Sequence, residues 1–171
     1  MSRAAALAGV VALLALAVGG AAARAATTFT DDTGATLTLS SPARRIVSLA
    51  PGATEMLFAA GAGGRVVATV MGADEPAAAK ALPRIGDANT MNYEKLVALQ
   101  PDVVVVWEDL TNRLVVDSLR KLKMPLYFIR AKGLADIPRS VRQLGRLAGT
   151  TAAADAAGAG REQPTPSPPM A

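Results

Sequence analysis

Acidic side chains and one tryptophan stand where apolar runs end in this 171-residue sequence, which makes those positions the first candidates for chemistry. Two carboxylates held close together can act as general acid and general base, whereas a tryptophan where a buried strand emerges can stack on a flat ligand. The carboxylates that could pair are Asp74, Glu75, Asp87, Glu108 and Asp109. An enzymatic site and a ligand cleft built around Trp107 are therefore both open, with a plain core tryptophan as the alternative.

The absence of histidine and cysteine narrows the enzymatic option. Without these residues there is no Ser-His-Asp triad, no Cys-His pair, no disulfide and no zinc site built from imidazole or thiolate. The glycine-rich stretch 61–64 follows a predicted helix and precedes a strand, which is the reverse of the order in a dinucleotide-binding loop. Any catalysis, for instance on a sugar or a phosphate, would therefore depend on the carboxylates.

The first 25 residues differ in character from the rest of the chain. They combine a positive start, an uncharged apolar run over 4–18 and small residues at 23–25. This combination is typical of a cleaved secretory signal peptide and is too short for a membrane span. We therefore expect residues 1–25 to be removed, leaving an exported protein that does not span the membrane.

The charge of the mature chain argues against nucleic acid as a partner. The formal net charge of +4 falls to +2 once the signal peptide is removed, because Arg3 and Arg24 leave and no acidic residue does. The remaining basic residues are scattered along the chain, whereas nucleic-acid binding usually needs them clustered on one face.

Strand and helix patterns alternate through the middle of the chain. Alternating residues around an Asp/Gly turn at 31–34 predict a β-hairpin over 26–43. The run of four valines in "DVVVVW", residues 102–107, has no polar face and is typical of a parallel strand covered on both sides. Further strands are expected at 46–49, 65–70 and 125–129, and helices at 53–60, 76–81, 92–100, 114–122 and 137–148. The pattern predicts an α/β fold: one lobe with a mainly parallel, roughly four-stranded sheet flanked by helices.

The predicted sheet collects the candidate residues at one edge. Ligands of parallel sheets meet the carboxyl ends of the strands, and the free N–H groups of a helix that opens there can face a ligand. The residues that the sequence places at or after strand ends are Pro51, Gly52, Asp74, Asp87, Asn89, Met91 and Trp107. We expect them to form the wall of a cleft, with Trp107 partly exposed beside Pro51, Asp74 and the loop 87–91.

Three stretches carry a resemblance to a known family. They are "RIVSLAPGATEMLFAAG", "LPRIGDANTMNYEKLVALQPDVVVVW" and "LRKLKMPLYFI". Together they resemble the N-terminal lobe of class III periplasmic substrate-binding proteins, which serve ABC importers of cobalamin, haem and ferric siderophores. The likeness covers about residues 28–157 and is closest to the cobalamin branch, because "PDVVVVW" carries the tryptophan that this branch places at its ligand cleft.

The resemblance implies a periplasmic, monomeric substrate-binding component with no catalytic activity and no intrinsic cofactor. It captures a corrinoid or iron complex and delivers it to the importer's permease. The family fold has two α/β lobes joined by a long helix. We would then expect residues 44–149 to be the first lobe and residues 150–160 to begin the joining helix, with the second lobe missing. Four prolines in residues 161–171 predict a disordered or polyproline-like tail.

Departures from the cobalamin branch keep alternatives open. The loop 71–76, "MGADEP", lacks the aromatic residue usual in that branch. A haem- or siderophore-binding protein of the same family is one alternative, with Tyr93 as the haem-iron ligand and no other metal site. A truncated, non-functional remnant is the other. Since Arg113 stands where the family places its permease-docking carboxylate, Glu108 and Asp109 are the substitute candidates for that role.

Overall fold

The structure, a computed structural model, describes residues 26–87 and 90–162. The predicted signal peptide, Asn89 and residues 163–171 lie outside the described residues. The strands are β1 Thr27–Thr30, β2 Thr36–Leu39, β3 Ile46–Ser48, β4 Val66–Ala68, β5 Val103–Trp107 and β6 Leu126–Ile129. The helices are α1 Pro51–Ala59, α2 Tyr93–Ala98, α3 Arg113–Lys121, α4 Ile137–Ala148 and α5 Thr151–Glu162, and short 3-10 turns cover Gly63–Arg65, Ala77–Ala81 and Leu134–Asp136.

Four parallel strands form the central sheet in the order β4-β3-β5-β6, and β1 and β2 form a separate antiparallel hairpin. The predicted fold class is confirmed. From β3 the chain crosses to β4 on one side, whereas from β5 it crosses to β6 on the other. The connections therefore diverge between β3 and β5, which makes this pair the topological switch point where open α/β sheets bind ligands.

Alternate residues of each central strand face opposite layers of helices. Val103 and Val105 of β5 belong to a core cluster with α1, α4 and α5, and Val104 and Val106 belong to a second cluster with α2 and α3. All four valines are fully buried, because helices cover both faces of the sheet. Trp107 continues the alternation and packs against the cluster on the α1 face.

Most elements begin or end one or two residues away from the predicted positions, and the helix predicted over 76–81 is a short 3-10 turn, Ala77–Ala81. Two of the shifts have a clear physical cause. Helix α1 begins at Pro51 rather than at residue 53, because the fixed φ of proline suits the first helical position, where its missing N–H is not needed. Strand β4 ends at Ala68, since Thr69 instead forms an isolated bridge with Arg84. Gly61 has a φ of +73° and follows α1 in the left-handed conformation predicted for its C-terminal end.

The N-terminal hairpin holds the outer edge of β6 through two carboxylates. Asp31 Oδ2 accepts the Phe128 amide at 3.2 Å, and Asp32 Oδ2 accepts the Arg130 amide at 2.7 Å. Asp32 also binds the Arg139 guanidinium of α4. An edge strand offers unpaired N–H groups, and here the hairpin satisfies them.

Helix α5 packs closely against α4. A Cβ added to Gly145 of α4 would lie 2.1 Å from the Ala154 Cβ of α5, so the two backbones approach through small residues. Helix α5 begins at Thr151 and continues to Glu162, two residues into the stretch for which the sequence predicts a disordered tail. No helix within residues 26–87 and 90–162 is long and apolar enough to cross a membrane.

Candidate functional site

Trp107 and Gly52 are in direct contact at the switch point of the sheet. Trp107 ends β5, and Gly52 lies in the first turn of α1, which follows β3 after the buried residues Leu49 and Ala50. A Cβ at position 52 would lie 2.7 Å from Trp107 Cζ3, so the indole ring lies against the glycine backbone. The Trp107 side chain is half-buried and therefore presents part of its ring to solvent at this edge.

A buried network of hydroxyl groups lies beneath this contact. Thr54 Oγ1 is 3.0 Å from Ser48 Oγ and 2.7 Å from Thr69 Oγ1, and it also donates to the Ala50 carbonyl at 3.1 Å. All three hydroxyl residues are fully buried. The network ties together the carboxyl ends of β3 and β4 and the first turn of α1, and so holds the turn at residues 50–52 in place.

The turn after β4 extends the same edge away from Trp107. Gly72 has a φ of +80°, and a Cβ there would lie 3.9 Å from Pro51 Cγ. The Met71 amide donates to the Gly86 carbonyl at 2.8 Å, and Gly86 in turn forms a bridge with Met91. A continuous rim therefore runs from Trp107 through Pro51 and Met71 to Met91, and the Met71 side chain on it is 60% exposed.

Asp74 and Asp87 are partly engaged in local contacts. Asp74 Oδ1 accepts from Arg84 at 3.0 Å while its side chain remains 62% exposed. The Arg84 guanidinium also donates to three backbone carbonyls, those of Ala73, Ala79 and Leu82, which hold it in place. Arg84 therefore fixes Asp74 beside the turn that follows β4. Asp87 Oδ1 accepts from the Thr90 amide at 2.7 Å and from the Thr90 hydroxyl at 3.0 Å. These bonds join the two described residues on either side of positions 88 and 89, and the predicted ligand residue Asn89 lies outside the described residues.

Glu108 and Asp109, the predicted docking carboxylates, have different surroundings. Glu108 forms an ion pair with Arg130, and its amide donates to the Ile129 carbonyl at 3.0 Å, so it joins the ends of β5 and β6. Asp109 is exposed in the turn that follows β5. Of the two, Asp109 is the more exposed.

An open groove of about 670 Å³ adjoins the far end of the rim. Met91 and Tyr93 both line it, together with Ile85, Gly86, Thr90, Asn92 and Glu94. Trp107 is absent from these lining residues. The described residues thus divide the predicted site into two parts, with Trp107, Gly52 and Pro51 in one and Met91 and the optional haem ligand Tyr93 in the other.

Sequence reasoning overlooked Met71 and the hydroxyl network. Met71 lies in the loop for which the resemblance implies an aromatic residue. The loop therefore does carry a large apolar side chain, but it is a methionine. The sequence gives only a weak indication of the hydroxyl network. Its members, Ser48, Thr54 and Thr69, lie at strand ends or at the start of a helix, and this shared position alone suggests that they meet.

The fold and this edge define a class of protein, an α/β lobe whose switch point presents an apolar wall. A family model described as periplasmic binding protein matches residues 46–165. This chain belongs to the periplasmic binding protein family.

Curated relatives and solved structures agree with this assignment. A vitamin B12-binding protein of Pectobacterium carotovorum is 38% identical over 101 residues, which cover 59% of this chain and 37% of that protein. A vitamin B12-binding protein of Vibrio cholerae is 37% identical over 103 residues, covering 60% of this chain and 37% of the relative. The chain therefore spans little more than a third of the length of these relatives.

Two solved structures share the fold over a similar extent. The periplasmic vitamin B12-binding protein BtuF of Vibrio cholerae superposes with a TM-score of 0.67 and 32% identity, covering 70% of this chain and 47% of that one. The haem-binding protein RhuT of Roseiflexus superposes with a TM-score of 0.59 and 27% identity, covering 68% of this chain and 45% of that one. Both matches confirm the predicted arrangement of helices around a parallel sheet.

Proposed function

We propose that this chain provides one wall of a cleft that captures a flat macrocyclic ligand of the corrinoid type for an ABC importer in the periplasm. The observation that carries the proposal is the Trp107–Gly52 contact at the switch point between β3 and β5. A half-buried indole at that place offers a rigid apolar face, and ligand sites in open α/β sheets lie there.

The composition of the rim supports a large, mostly apolar ligand. Pro51, Met71 and Trp107 provide apolar surface, and Asp74 provides a carboxylate near one end that can accept hydrogen bonds from amide groups of a ligand. Such a division between apolar walls and a few polar groups is usual in small-molecule sites. The vitamin B12-binding names of the relatives agree with a corrinoid, and the family assignment favours binding without catalysis.

A titration with aquocobalamin tests the proposal. Because Trp107 is the only tryptophan, its fluorescence reports directly on the candidate wall of the wild-type chain. For the variants, equilibrium dialysis followed by cobalamin absorbance replaces the fluorescence. We expect Trp107→Ala to weaken binding about five- to 150-fold, since losing an aromatic stack costs about 1–3 kcal/mol, and Trp107→Phe to retain most of the affinity.

Leu134→Ala provides the control for these variants, because Leu134 is 90% exposed in the turn before α4 and is absent from the rim. This variant should bind aquocobalamin as the wild type does. Equal affinity of the wild type and Trp107→Ala, or turnover of a substrate that depends on the carboxylates, would contradict the proposal.

Haem is the second candidate ligand, and the groove that contains Met91 and Tyr93 favours it. A phenolate oxygen and a thioether are both known haem-iron ligands, and the two side chains line the same groove. With haemin as the probe, Tyr93→Phe should then abolish the Soret shift, whereas Trp107→Ala should change it little. The opposite order of effects would place haem on the Trp107 wall instead of in this groove.

Delivery to a permease would use the exposed carboxylate beside the cleft wall. Because Glu108 is paired with Arg130, we propose Asp109 as the main docking carboxylate and Glu108 as a minor one. Charge-assisted pairs of this kind set the register and the association rate. Asp109→Lys should weaken co-purification with the reconstituted permease and its ATPase more than Glu108→Lys does, and unchanged co-purification would place docking elsewhere.

A further inference from the structure

We infer that Gly52 is a positioning residue that fixes the depth at which the Trp107 ring lies, and thereby the shape of the ligand wall. The part of this inference that concerns the ligand rests on the proposed function. The part that concerns the ring stands on geometry alone.

The Gly52 backbone does not itself require glycine. Gly52 has none of the positive φ values seen at Gly34, Gly61 and Gly72, and it lies within α1, where glycine is less favourable than alanine. What demands glycine is space. A Cβ at position 52 would lie 2.7 Å from Cζ3, 3.5 Å from Cη2 and 3.6 Å from Cε3 of Trp107, which is the edge of the six-membered ring.

The helix cannot easily retreat from an added methyl group. The Thr54 amide donates to the Ala50 carbonyl at 3.0 Å, and the Thr54 hydroxyl donates to the same carbonyl at 3.1 Å. The hydroxyl is also bound to Ser48 and Thr69 inside the protein. The indole is free at its solvent-facing side, because Trp107 is only half-buried. A methyl group at position 52 therefore displaces the ring towards solvent rather than displacing α1.

Gly52→Ala and Gly64→Ala form a matched pair that tests this inference. Gly64 is exposed, has no positive φ and would have no atom within 4 Å of an added Cβ. In the ligand-free protein we expect Gly52→Ala to shift Trp107 emission to longer wavelength and to raise acrylamide quenching about twofold, as exposure of the ring increases. Gly64→Ala should leave both unchanged. Wild-type emission and quenching in a folded Gly52→Ala variant would overturn the inference.

A second variant covers the case in which Gly52→Ala folds poorly. Trp107→Leu removes the ring that the new methyl group would meet, so Gly52→Ala should be tolerated better in the Trp107→Leu background than in the wild type. Urea melts of the four proteins in this cycle measure the coupling. Additive effects would mean that the ring is not what the methyl group meets, which also overturns the inference.

The ligand arm separates this inference from the proposed function. Dialysis against aquocobalamin should give an affinity about tenfold weaker for Gly52→Ala than for Gly64→Ala, because the displaced ring no longer matches the ligand face. A changed emission with no aquocobalamin binding by any variant, including the wild type, upholds the positioning role and overturns the corrinoid function. A changed emission with equal affinities overturns the link between ring depth and ligand.

Discussion

Thr54 and Thr69 share a hydrogen bond with an Oγ1–Oγ1 distance of 2.7 Å at a place from which solvent is wholly excluded. Thr54 belongs to α1 and Thr69 follows β4, so the bond joins the helix after β3 to the end of the neighbouring strand. Since Thr54 also binds Ser48 and Ala50, it is the centre of the network beneath the candidate wall. Removing the Thr54 hydroxyl should therefore lower the stability of the protein and shift the position of the rim.

Thr54→Val should lower the free energy of unfolding by about 2 kcal/mol. The substitution keeps the shape of the side chain but leaves the buried Thr69 hydroxyl without this partner, whereas Ser48 still donates to the Ala50 carbonyl. An unsatisfied buried polar group costs about 1–3 kcal/mol. Thr69→Val should cost less, because Thr54 keeps its other two partners. Urea denaturation of both variants and the double mutant measures the difference.

Thr28→Val is the matched control for this pair. Thr28 and Thr38 also have their hydroxyl oxygens 3.0 Å apart, but on the exposed surface of the hairpin, where water can replace either partner. We expect a change within about 0.5 kcal/mol. Equal losses of unfolding free energy in Thr28→Val and Thr54→Val would mean that burial does not increase the contribution of the Thr54 network to stability.

Asp32→Ala should loosen the hairpin from the sheet and cost about 2–3 kcal/mol. The Asp32 side chain is only 4% exposed and accepts from the Arg130 amide, the Gln143 amide group and the Arg139 guanidinium. Removing it leaves the Arg130 amide and the Gln143 amide group without this acceptor at the edge of β6, whereas Arg139 keeps its bond to the Arg130 carbonyl. Hydrogen exchange at the Arg130 amide should accelerate more than exchange at amides of β5.

Asp155→Ala, on the exposed side of α5, should change stability by no more than about 0.5 kcal/mol. The comparison separates the local role of Asp32 from the general effect of removing one negative charge. Unchanged exchange at Arg130 in Asp32→Ala would show that backbone contacts alone hold the hairpin.

The fold could be predicted from sequence because its signals are local and repeated. The run from Val103 to Val106 is typical of a strand covered on both sides, and the helix predicted over 137–148 has the bounds of α4. The hairpin followed from its Asp/Gly turn, although its attachment to β6 through Asp31 and Asp32 did not, because pairs about 97 residues apart leave no local pattern.

The candidate site could be predicted only as a set of strand ends. Parallel topology places Pro51, Met91 and Trp107 on one edge of the sheet, but it does not say which of them touch. The Trp107–Gly52 contact depends on strand order, since β3 and β5 are neighbours although α1, β4 and α2 separate them in the chain. Asp74 was predicted from the sequence as a ligand-binding carboxylate. In the structure this carboxylate forms an ion pair with Arg84, a residue nearby in the sequence.

Gly145→Ala should destabilise the protein by about 1–3 kcal/mol, although alanine favours helix. The new Cβ would lie 2.1 Å from Ala154 Cβ, so α4 and α5 would have to separate, and overpacking a close helix contact carries that cost. Gly160→Ala, in α5 with no atom within 4 Å of the added Cβ, should instead stabilise by up to about 1 kcal/mol. Thermal melts of the two variants should therefore shift in opposite directions. A stabilising Gly145→Ala would mean that α5 does not pack on α4 in solution.

Tyr127 should make the protein less stable in strongly alkaline solution. Burial, followed by the negative charges of Asp32 and Asp31, raises the pKa of Tyr127 from 10.0 to about 12. The folded protein thus prefers the neutral phenol, whose hydroxyl donates to the Thr30 carbonyl at 3.1 Å. The stabilisation that results from this pKa difference is fully present below pH 10, where the unfolded tyrosine is also protonated. It is lost as the pH rises from 10 towards 12. Two pH units correspond to a loss of about 2.7 kcal/mol at most.

Tyr127→Phe isolates this contribution, because phenylalanine keeps the ring and removes the titrating group. The variant should be about 1 kcal/mol less stable than the wild type at pH 8, where it lacks the hydrogen bond to Thr30. Because its stability does not contain the Tyr127 titration, the gap should close and then reverse between pH 10 and 12. Tyr93→Phe, at a half-buried ring of α2, controls for the general effect of losing a phenol. Parallel stability curves for the wild type and Tyr127→Phe across that pH range would mean that Tyr127 ionises as easily in the folded protein as in the unfolded chain.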